Sequence, residues 1–491
     1  MTAESCAHRW QWALLLLTIC LLALRFCHLS ADFPVFHFYE QDGARFTDEG
    51  FYTGAALQHF TLGHAYLPGG WNPGIFMPVW PLLVGLLFHF TGISVVAARA
   101  LAVGCVCLSV LLAYGIARQY QSKIFACLTA FLIAANALGF FFGRLALLEP
   151  AFGMFLLLAI YLAGRVRPHN YALAVCVGVV FVVATLTKTT GPFVLPAVLY
   201  PIWVKNRQDR AAAWKLLGTA LATIILLMGF AKIVWTRHYA ADAQIILGMD
   251  PLWQLENSPS RLLRFFFRGT WIDPVLFPLA LAAFIAAAVR LRFLWRDPLF
   301  MIAFLWETGY AAFIVFHYDG PPRYFVAMIV PTIWLALIFL EWLWNANKRI
   351  AVLAAACVAV SVLGNIASIG DYLLHPQYTL VEASLKIKQL IVAEHASGAA
   401  SNKLLIGRGA GEVSLLSGGL PAMDSDGAMP LAQKLDLYHP DWFMHWTDYP
   451  SARLTTVMSE RTLVQRADFP GLDPFDGSGI LLFQLLPKRQ P

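Results

Sequence analysis

Pro73-Gly74-Ile75-Phe76-Met77-Pro78-Val79-Trp80-Pro81-Leu82-Leu83-Val84-Gly85-Leu86-Leu87-Phe88-His89-Phe90-Thr91-Gly92 is apolar and about 20 residues long, the length of a membrane span. Whether it crosses a bilayer sets the side of every later loop. The rest of the chain leaves no doubt that a bilayer is involved. Mean hydropathy is +0.64, 59% of the residues are hydrophobic and 13% are charged. Apolar runs recur from residue 10 to residue 370, which excludes a soluble globular domain.

The clusters Arg118/Lys123, Arg165/Arg167, Lys205/Arg207/Arg210/Lys215, Arg290/Arg292/Arg296 and Lys348/Arg349 each close one apolar run and open another. Read as cytoplasmic turns, they pair spans at 97–117, 124–142, 149–164, 170–187, 190–204, 214–235, 273–289, 298–316, 323–344 and 350–369. With the run Trp10 to Leu24 the total is about eleven. A crossing at Pro73–Gly92 would turn all five basic turns outward. Pro78 and Pro81 weaken a straight helix there, so the segment reads as re-entrant or interfacial. The run Trp10 to Leu24, after His8 and Arg9, suits a signal anchor, with a cleaved signal peptide as the alternative.

The expected fold is therefore an α-helical polytopic membrane protein with re-entrant or juxtamembrane helices in its first outer loop. Residues 1–370 form the membrane domain, and composition shifts abruptly to a polar tail at 371–491. Lys403–Ile406, Trp442–Trp446 and Gly479–Leu486 read as strands, and 379–395, 410–417 and 428–437 as helices, so the tail is a small α/β domain. The topology puts the tail, and loops 31–96, 143–148, 188–189, 236–272 and 317–322, on the non-cytoplasmic side of the inner membrane. The net charge of +6 is spread over the turns, which gives no basis for nucleic-acid binding. All eight cysteines lie in or beside apolar runs, so no disulfide framework follows.

On the outer side, scarce charges gather. Asp48 and Glu49 lie in Arg45-Phe46-Thr47-Asp48-Glu49-Gly50-Phe51-Tyr52, in a chain with only 29 acidic residues. A carboxylate held against a bilayer is costly and marks a functional site. Arg144 and Glu149 flank four apolar residues in Gly143–Pro150, at i to i+5, too far round a helix for the usual ion pair. Lys188 is a lone cation in Thr185-Leu186-Thr187-Lys188-Thr189-Thr190-Gly191-Pro192. Arg323 and Tyr324 follow His317-Tyr318-Asp319-Gly320-Pro321-Pro322, and guanidinium suits bidentate phosphate recognition. Each has a plain structural reading too: boundary charges, a snorkelling lysine, an Arg323–Asp319 surface pair. Trp71, Trp80, Trp253 and Trp271 fit an interfacial belt, and His59 and His64 interfacial positions.

In this order, Asp48-Glu49 with Tyr52, Trp71-Asn72-Pro73-Gly74 to Pro81, Gly143-Arg144 to Glu149, Leu186-Thr187-Lys188 and Arg323-Tyr324 resemble the GT-C superfamily of integral-membrane glycosyltransferases. The nearest branch is that of protein O-mannosyltransferases and bacterial aminoarabinose and galacturonic-acid transferases, over roughly residues 10 to 345. The resemblance implies a polyprenyl-phosphate-linked sugar donor, an acceptor hydroxyl reached from outside, inversion at the anomeric carbon and Asp48 as catalytic base. Glu49, Tyr52, Arg144, Glu149, Lys188, Arg323 and Tyr324 are the candidate substrate-binding residues. Glu149 stands where the family commonly has aspartate, and the tail does not resemble the β-trefoil of eukaryotic O-mannosyltransferases. The acceptor is then an envelope lipid, glycan or protein.

The residues themselves agree with this chemistry. No nucleotide-binding fingerprint is present, and a donor outside the cytoplasm must cross the bilayer. A leaving phosphate needs fixed cations, for which Arg144, Lys188 and Arg323 are candidates. An attacking hydroxyl needs a carboxylate base. Glu49 would point about 100° from Asp48 on a helix and so orients a cation or substrate. The paired acids permit a divalent cation, although basic residues could neutralise the phosphate alone. Two other readings remain: a transporter or flippase of a lipid-linked sugar, which usually carries charges at the midplane and repeated halves, and an oligosaccharide ligase of the same superfamily.

Overall fold

The computed structural model describes all residues except 1–2, 34–47, 248–250, 290–291, 317–320, 399, 473–476 and 489–491; for 3–8, 235–247, 251–257 and 292–293 it describes the backbone alone. The stretches Arg45–Thr47 and His317–Gly320, and the side chain of Trp253, lie outside the described residues.

Helix α1 (Ala3–Leu24) leads into the first loop, where α2 (Glu49–Tyr52), α3 (Gly54–Leu62) and α4 (Val79–Thr91) precede α5 (Val95–Tyr120). The disputed segment thus becomes a 3-10 turn at Pro73–Ile75 followed by α4. Contacts on either side of α4 reach the loop end of the bundle. Near its start, Trp80 Nε1 donates to the Ala146 carbonyl at 3.0 Å. Past its end, Arg99 in the second turn of α5 reaches Glu49 and the carbonyls of Leu29 and Ala31, back at the beginning of the loop. Trp80 is fully buried, so it belongs to the packing under the loop and not to an exposed aromatic belt.

The bundle continues through α6 (Lys123–Ala135), α7 (Ala137–Phe142), α8 (Leu148–Ala163), α9 (Tyr171–Thr187), α10 (Leu195–Asn206) and α11 (Arg210–Leu247). It then runs through α12 (Pro251–Arg268), α13 (Leu276–Val289), α14 (Pro298–Phe316), α15 (Ile329–Ala346) and α16 (Lys348–Leu374). Side-chain caps mark many of the starts: Ser94, Ser122, Asn136, Asn170 and Asn347 each accept from a backbone N–H in the first turn. Asn136 breaks the expected 124–142 span into two helices, because its Oδ1 caps α7 at 2.8 Å while its amide donates to the Ile272 carbonyl at 2.6 Å. The expected loop 236–272 is largely helical instead, formed by the end of α11 and by α12.

The basic turns close the end of the bundle opposite the first loop. Gln121 donates to Asp297 at 2.8 Å, Asn206 to the Val166 carbonyl at 3.1 Å, and Lys205 lies 5.1 Å from the Tyr120 ring centroid. Five helical segments among the described residues are long and apolar enough to cross a membrane by themselves, and six shorter apolar helices accompany them. The protein is a polytopic helical membrane protein.

After α16 come α17 (Thr379–Ala396), β1 (Leu405–Ile406), α18 (Ala410–Leu416), β2 (Ala422–Met423), α19 (Leu431–Tyr438), β3 (Trp442–Trp446), α20 (Ala452–Glu460), β4 (Arg461–Phe469) and β5 (Ile480–Pro487). The strands form one sheet in the order β2-β1-β3-β5-β4, parallel at β2-β1-β3 and antiparallel at β3-β5-β4. Three expected strands and three expected helices are present. Strand β4 escapes sequence reading because, as an edge strand with a bulge between Gln465 and Ala467, it is only half-buried and its alternation is broken.

The C-terminal unit is seated on the first loop by backbone contact. Gly50 N donates to Glu412 Oε2 at 2.7 Å, and a Cβ at Gly50 would overlap the backbone of Gly411 and Glu412. Gly50→Ala should therefore cost about 1–3 kcal/mol of stability through overpacking. Thermal unfolding of the purified chain should show a lowered Tm; an unshifted Tm would mean that the two units do not depend on this contact.

Candidate functional site

At the loop end of the bundle, two adjacent carboxylates take different partners. Asp48 precedes α2 with φ 62°, a left-handed conformation that aspartate tolerates better than most residues. This turns its side chain toward Arg323, whose Nη2 lies 2.7 Å from Oδ2. Glu49 points the other way into the protein, fully buried. Its carboxylate accepts from Arg99 Nε at 2.7 Å and Nη2 at 2.5 Å, and from the Ala146 backbone N–H at 2.6 Å. The bidentate pair with a third hydrogen bond is the geometry that makes a buried ion pair tolerable.

Glu149 and Lys188 form the second buried pair. Glu149 sits in the first turn of α8, where the helix dipole favours an acid. Lys188 caps the end of α9, and its Nζ lies 2.5 Å from Glu149 Oε1. Both are buried. The same ammonium lies 4.3 Å from the Tyr324 ring centroid, and the Arg323 guanidinium lies 5.7 Å from it. One continuous chain of contacts thus runs Asp48, Arg323, Tyr324, Lys188, Glu149. Tyr52, buried one turn after Asp48, lies in the field of Asp48, Arg323, Tyr324 and Glu149. Thr190 and Tyr310 meet side chain to side chain nearby, and Glu149 Oε2 is buried beside the chain without a hydrogen-bond partner.

Six of the eight expected site residues, Asp48, Tyr52, Glu149, Lys188, Arg323 and Tyr324, are therefore brought together. Two are not. Glu49 is enclosed by Arg99 and Ala146, and Arg144 sits in a separate small cavity with His28, Phe33 and Tyr372. There its guanidinium donates to the Cys27 carbonyl and packs over the Phe140 and Tyr372 rings at 5.0 and 4.9 Å. Arg323 meets Asp48; the Asp319 considered from sequence lies outside the described residues. Sequence reading missed Arg99, although a lone arginine inside an apolar run is the same signal that singled out Asp48 and Glu49. It also missed the contribution of the C-terminal unit.

Asp48 opens into a cavity of about 260 Å³ between the first loop and that unit. On the far wall, Asp426 pairs with Arg453 at 2.5 Å and with Arg408 at 3.8 Å. Burial pushes the neighbouring Asp424 carboxyl up to about 6; the Asp426 carboxylate adds to this, while the backbone N–H groups of Asp426 and Gly409 and the Lys434 ammonium oppose it. Among the described residues no three His, Cys, Asp or Glu side chains come together as a metal-ligand set.

Lys188→Met should leave Glu149 buried and uncompensated, at about 3–5 kcal/mol. Adding Glu149→Gln should restore most of that loss in thermal unfolding, whereas additive losses would show that the pair is not coupled. At Asp424 the folded pKa lies above the ordinary 3.8, so its neutral form stabilises the fold. That contribution is present below about pH 4 and lost as pH rises through about 6, up to about 3 kcal/mol. Asp424→Asn should flatten this part of the stability–pH profile.

Residues 39–256 match the family model of dolichyl-phosphate-mannose-protein mannosyltransferase. No curated protein matches the chain. Among solved structures, ArnT from Cupriavidus metallidurans bound to undecaprenyl phosphate is 15% identical with a TM-score of 0.58, covering 96% of this chain and 98% of that one. The same protein in the apo state is 14% identical with a TM-score of 0.59, over 96% and 97%. The Archaeoglobus fulgidus oligosaccharyltransferase tethered with an acceptor peptide is 12% identical with a TM-score of 0.55, over 89% and 69%. At these identities the structures show a shared fold. The mannosyltransferase family model spans the Asp48, Glu149 and Lys188 segments, and the shared fold extends over nearly the whole chain.

Proposed function

We propose that the protein transfers one sugar, with inversion, from a polyprenyl-phosphate donor to an acceptor hydroxyl on the outer face of the cytoplasmic membrane. The observation that carries this reading is the contact chain from Asp48 to Glu149 at one end of the bundle. It supports this reading because two carboxylates and two cations lie in one contact chain, the groups that an attacking hydroxyl and a leaving lipid phosphate need. The structural neighbour holding undecaprenyl phosphate and the family named for a dolichyl-phosphate sugar support the same donor class here. The basic turns at the opposite end of the bundle support an outward-facing site and an outward-facing C-terminal domain at 371–491.

In the reaction, the acceptor oxygen forms a bond to the anomeric carbon as the bond from that carbon to the phosphate oxygen breaks. Asp48 takes the hydroxyl proton. The electron pair of the broken bond leaves on the polyprenyl phosphate, whose growing charge is met by Lys188 and Arg323. Glu149 holds Lys188 in place, and Arg323 stands between the base and the phosphate. Asp48→Asn, tested in membranes with isotope-labelled polyprenyl-phosphate sugars, should reduce transfer by about 10²- to 10⁴-fold. Transfer at the unsubstituted rate at equal expression would remove Asp48 from this role.

A further inference from the structure

The cavity beyond Asp48 is built by two parts of the chain far apart in sequence. On one side the first loop supplies Asp48, Phe51 and Trp71; on the other the C-terminal unit supplies Arg408, Asp424 and Asp426. The two sides are fixed against each other by the hydrogen bond from Gly50 N to Glu412 and by the close approach of Gly50 to Gly411. We propose that this cavity is the acceptor subsite and that it takes an uncharged, hydroxyl-rich acceptor, a sugar ring, rather than an anionic one. The proposal rests on the reading of Asp48 as the base.

Three features favour that class. The ionic groups on the walls already have partners: Asp48 has Arg323 at 2.7 Å, Asp426 has Arg453 at 2.5 Å, Glu412 accepts from Gly50 N at 2.7 Å, and the Arg408 guanidinium lies 4.2 Å from the Tyr449 ring centroid and 3.8 Å from Asp426. An incoming phosphate would meet four carboxylates and find its one lining arginine engaged, whereas hydroxyl groups can donate to carboxylate oxygens without disturbing any pair. Phe51 and Trp71, edge to face with centroids 6.4 Å apart, give the apolar surface on which the carbon face of a sugar ring can rest. Finally, about 260 Å³ corresponds to roughly nine waters at ~30 Å³ each, room for a single ring.

The test uses the full chain in lipid nanodiscs. Tryptophan fluorescence is titrated with glucose and with glucose 6-phosphate, in the unsubstituted protein and in Trp71→Phe. Glucose should quench a component that Trp71→Phe lacks, and glucose 6-phosphate at the same concentration should not. Asp424→Asn should weaken the glucose response about tenfold, the worth of one hydrogen bond to a carboxylate. With methyl glucoside as acceptor and a labelled polyprenyl-phosphate sugar as donor, the same variant should raise the acceptor KM about tenfold and leave the donor KM unmoved. Equal quenching by the phosphorylated sugar, no quenching by either, or an unmoved acceptor KM would overturn the proposal. Selective glucose quenching without transfer from any polyprenyl donor would instead overturn the proposed reaction and leave the cavity's preference standing.

Discussion

The buried pair of Glu49 and Arg99 is the contact on which the rest of the loop end depends. Arg99 enters the protein in the second turn of an otherwise apolar helix, and its guanidinium is spread over Glu49 and the carbonyls of Leu29 and Ala31. Glu49 adds the backbone of Ala146. Two stretches of the first loop, helix α5 and the loop after α7 thereby meet at one desolvated charge pair. Neither charge could stay there alone, since removing one partner of such a pair costs about 3–5 kcal/mol. The pair therefore specifies the position of the loop as well as stabilising it.

That constraint explains how two adjacent acids acquire different work. With Glu49 held inward, the left-handed backbone at Asp48 throws the neighbouring carboxylate to the other side of the short helix, against Arg323 and into the cavity. The next residue, Gly50, presents its N–H to Glu412 and has no side chain to keep the C-terminal unit away. Three consecutive residues thus anchor the loop, offer the candidate base and receive the second wall of the cavity. The mannosyltransferase-like segment ends at residue 256, yet Arg323 and the C-terminal wall lie beyond it, so the pocket is assembled from parts with different sequence signals.

Much of this was legible from residue order. The basic turns marked the helix boundaries because charge segregation is a bulk property of membrane loops, and the re-entrant reading of the α4 segment rested on those turns rather than on its own hydropathy. Asp48, Glu149, Lys188 and Arg323 stood out because isolated charges in apolar sequence are costly. The same argument reached Arg144 but not its direction: its guanidinium turned toward the Cys27 carbonyl and the rings of Phe140 and Tyr372. Which side a charge takes at a helix end is set by its partners. For Glu49 the partner was 50 residues on in sequence, and for Gly50 it was 362 residues on. No local pattern carries that information.

The electrostatics of the resting site also bear on how it could act. Lys188 and Arg323 are both engaged, one by Glu149 and the face of Tyr324, the other by Asp48. A cation buried without such partners would lower its own charge or drag in water. Pairing keeps both aimed before any substrate arrives, so in the proposed reaction little reorganisation is left for the moment at which phosphate charge develops. The two pairs differ in one respect: the Lys188 pair is closed on both sides by protein, whereas Asp48 is partly open to the cavity. A phosphate bound as proposed would therefore draw Arg323 off Asp48 at lower desolvation cost than Lys188 off Glu149. Under the proposed reaction this exchange would leave Asp48 less tightly held only once the donor is in place, coupling proton abstraction to the presence of something for the acceptor to attack.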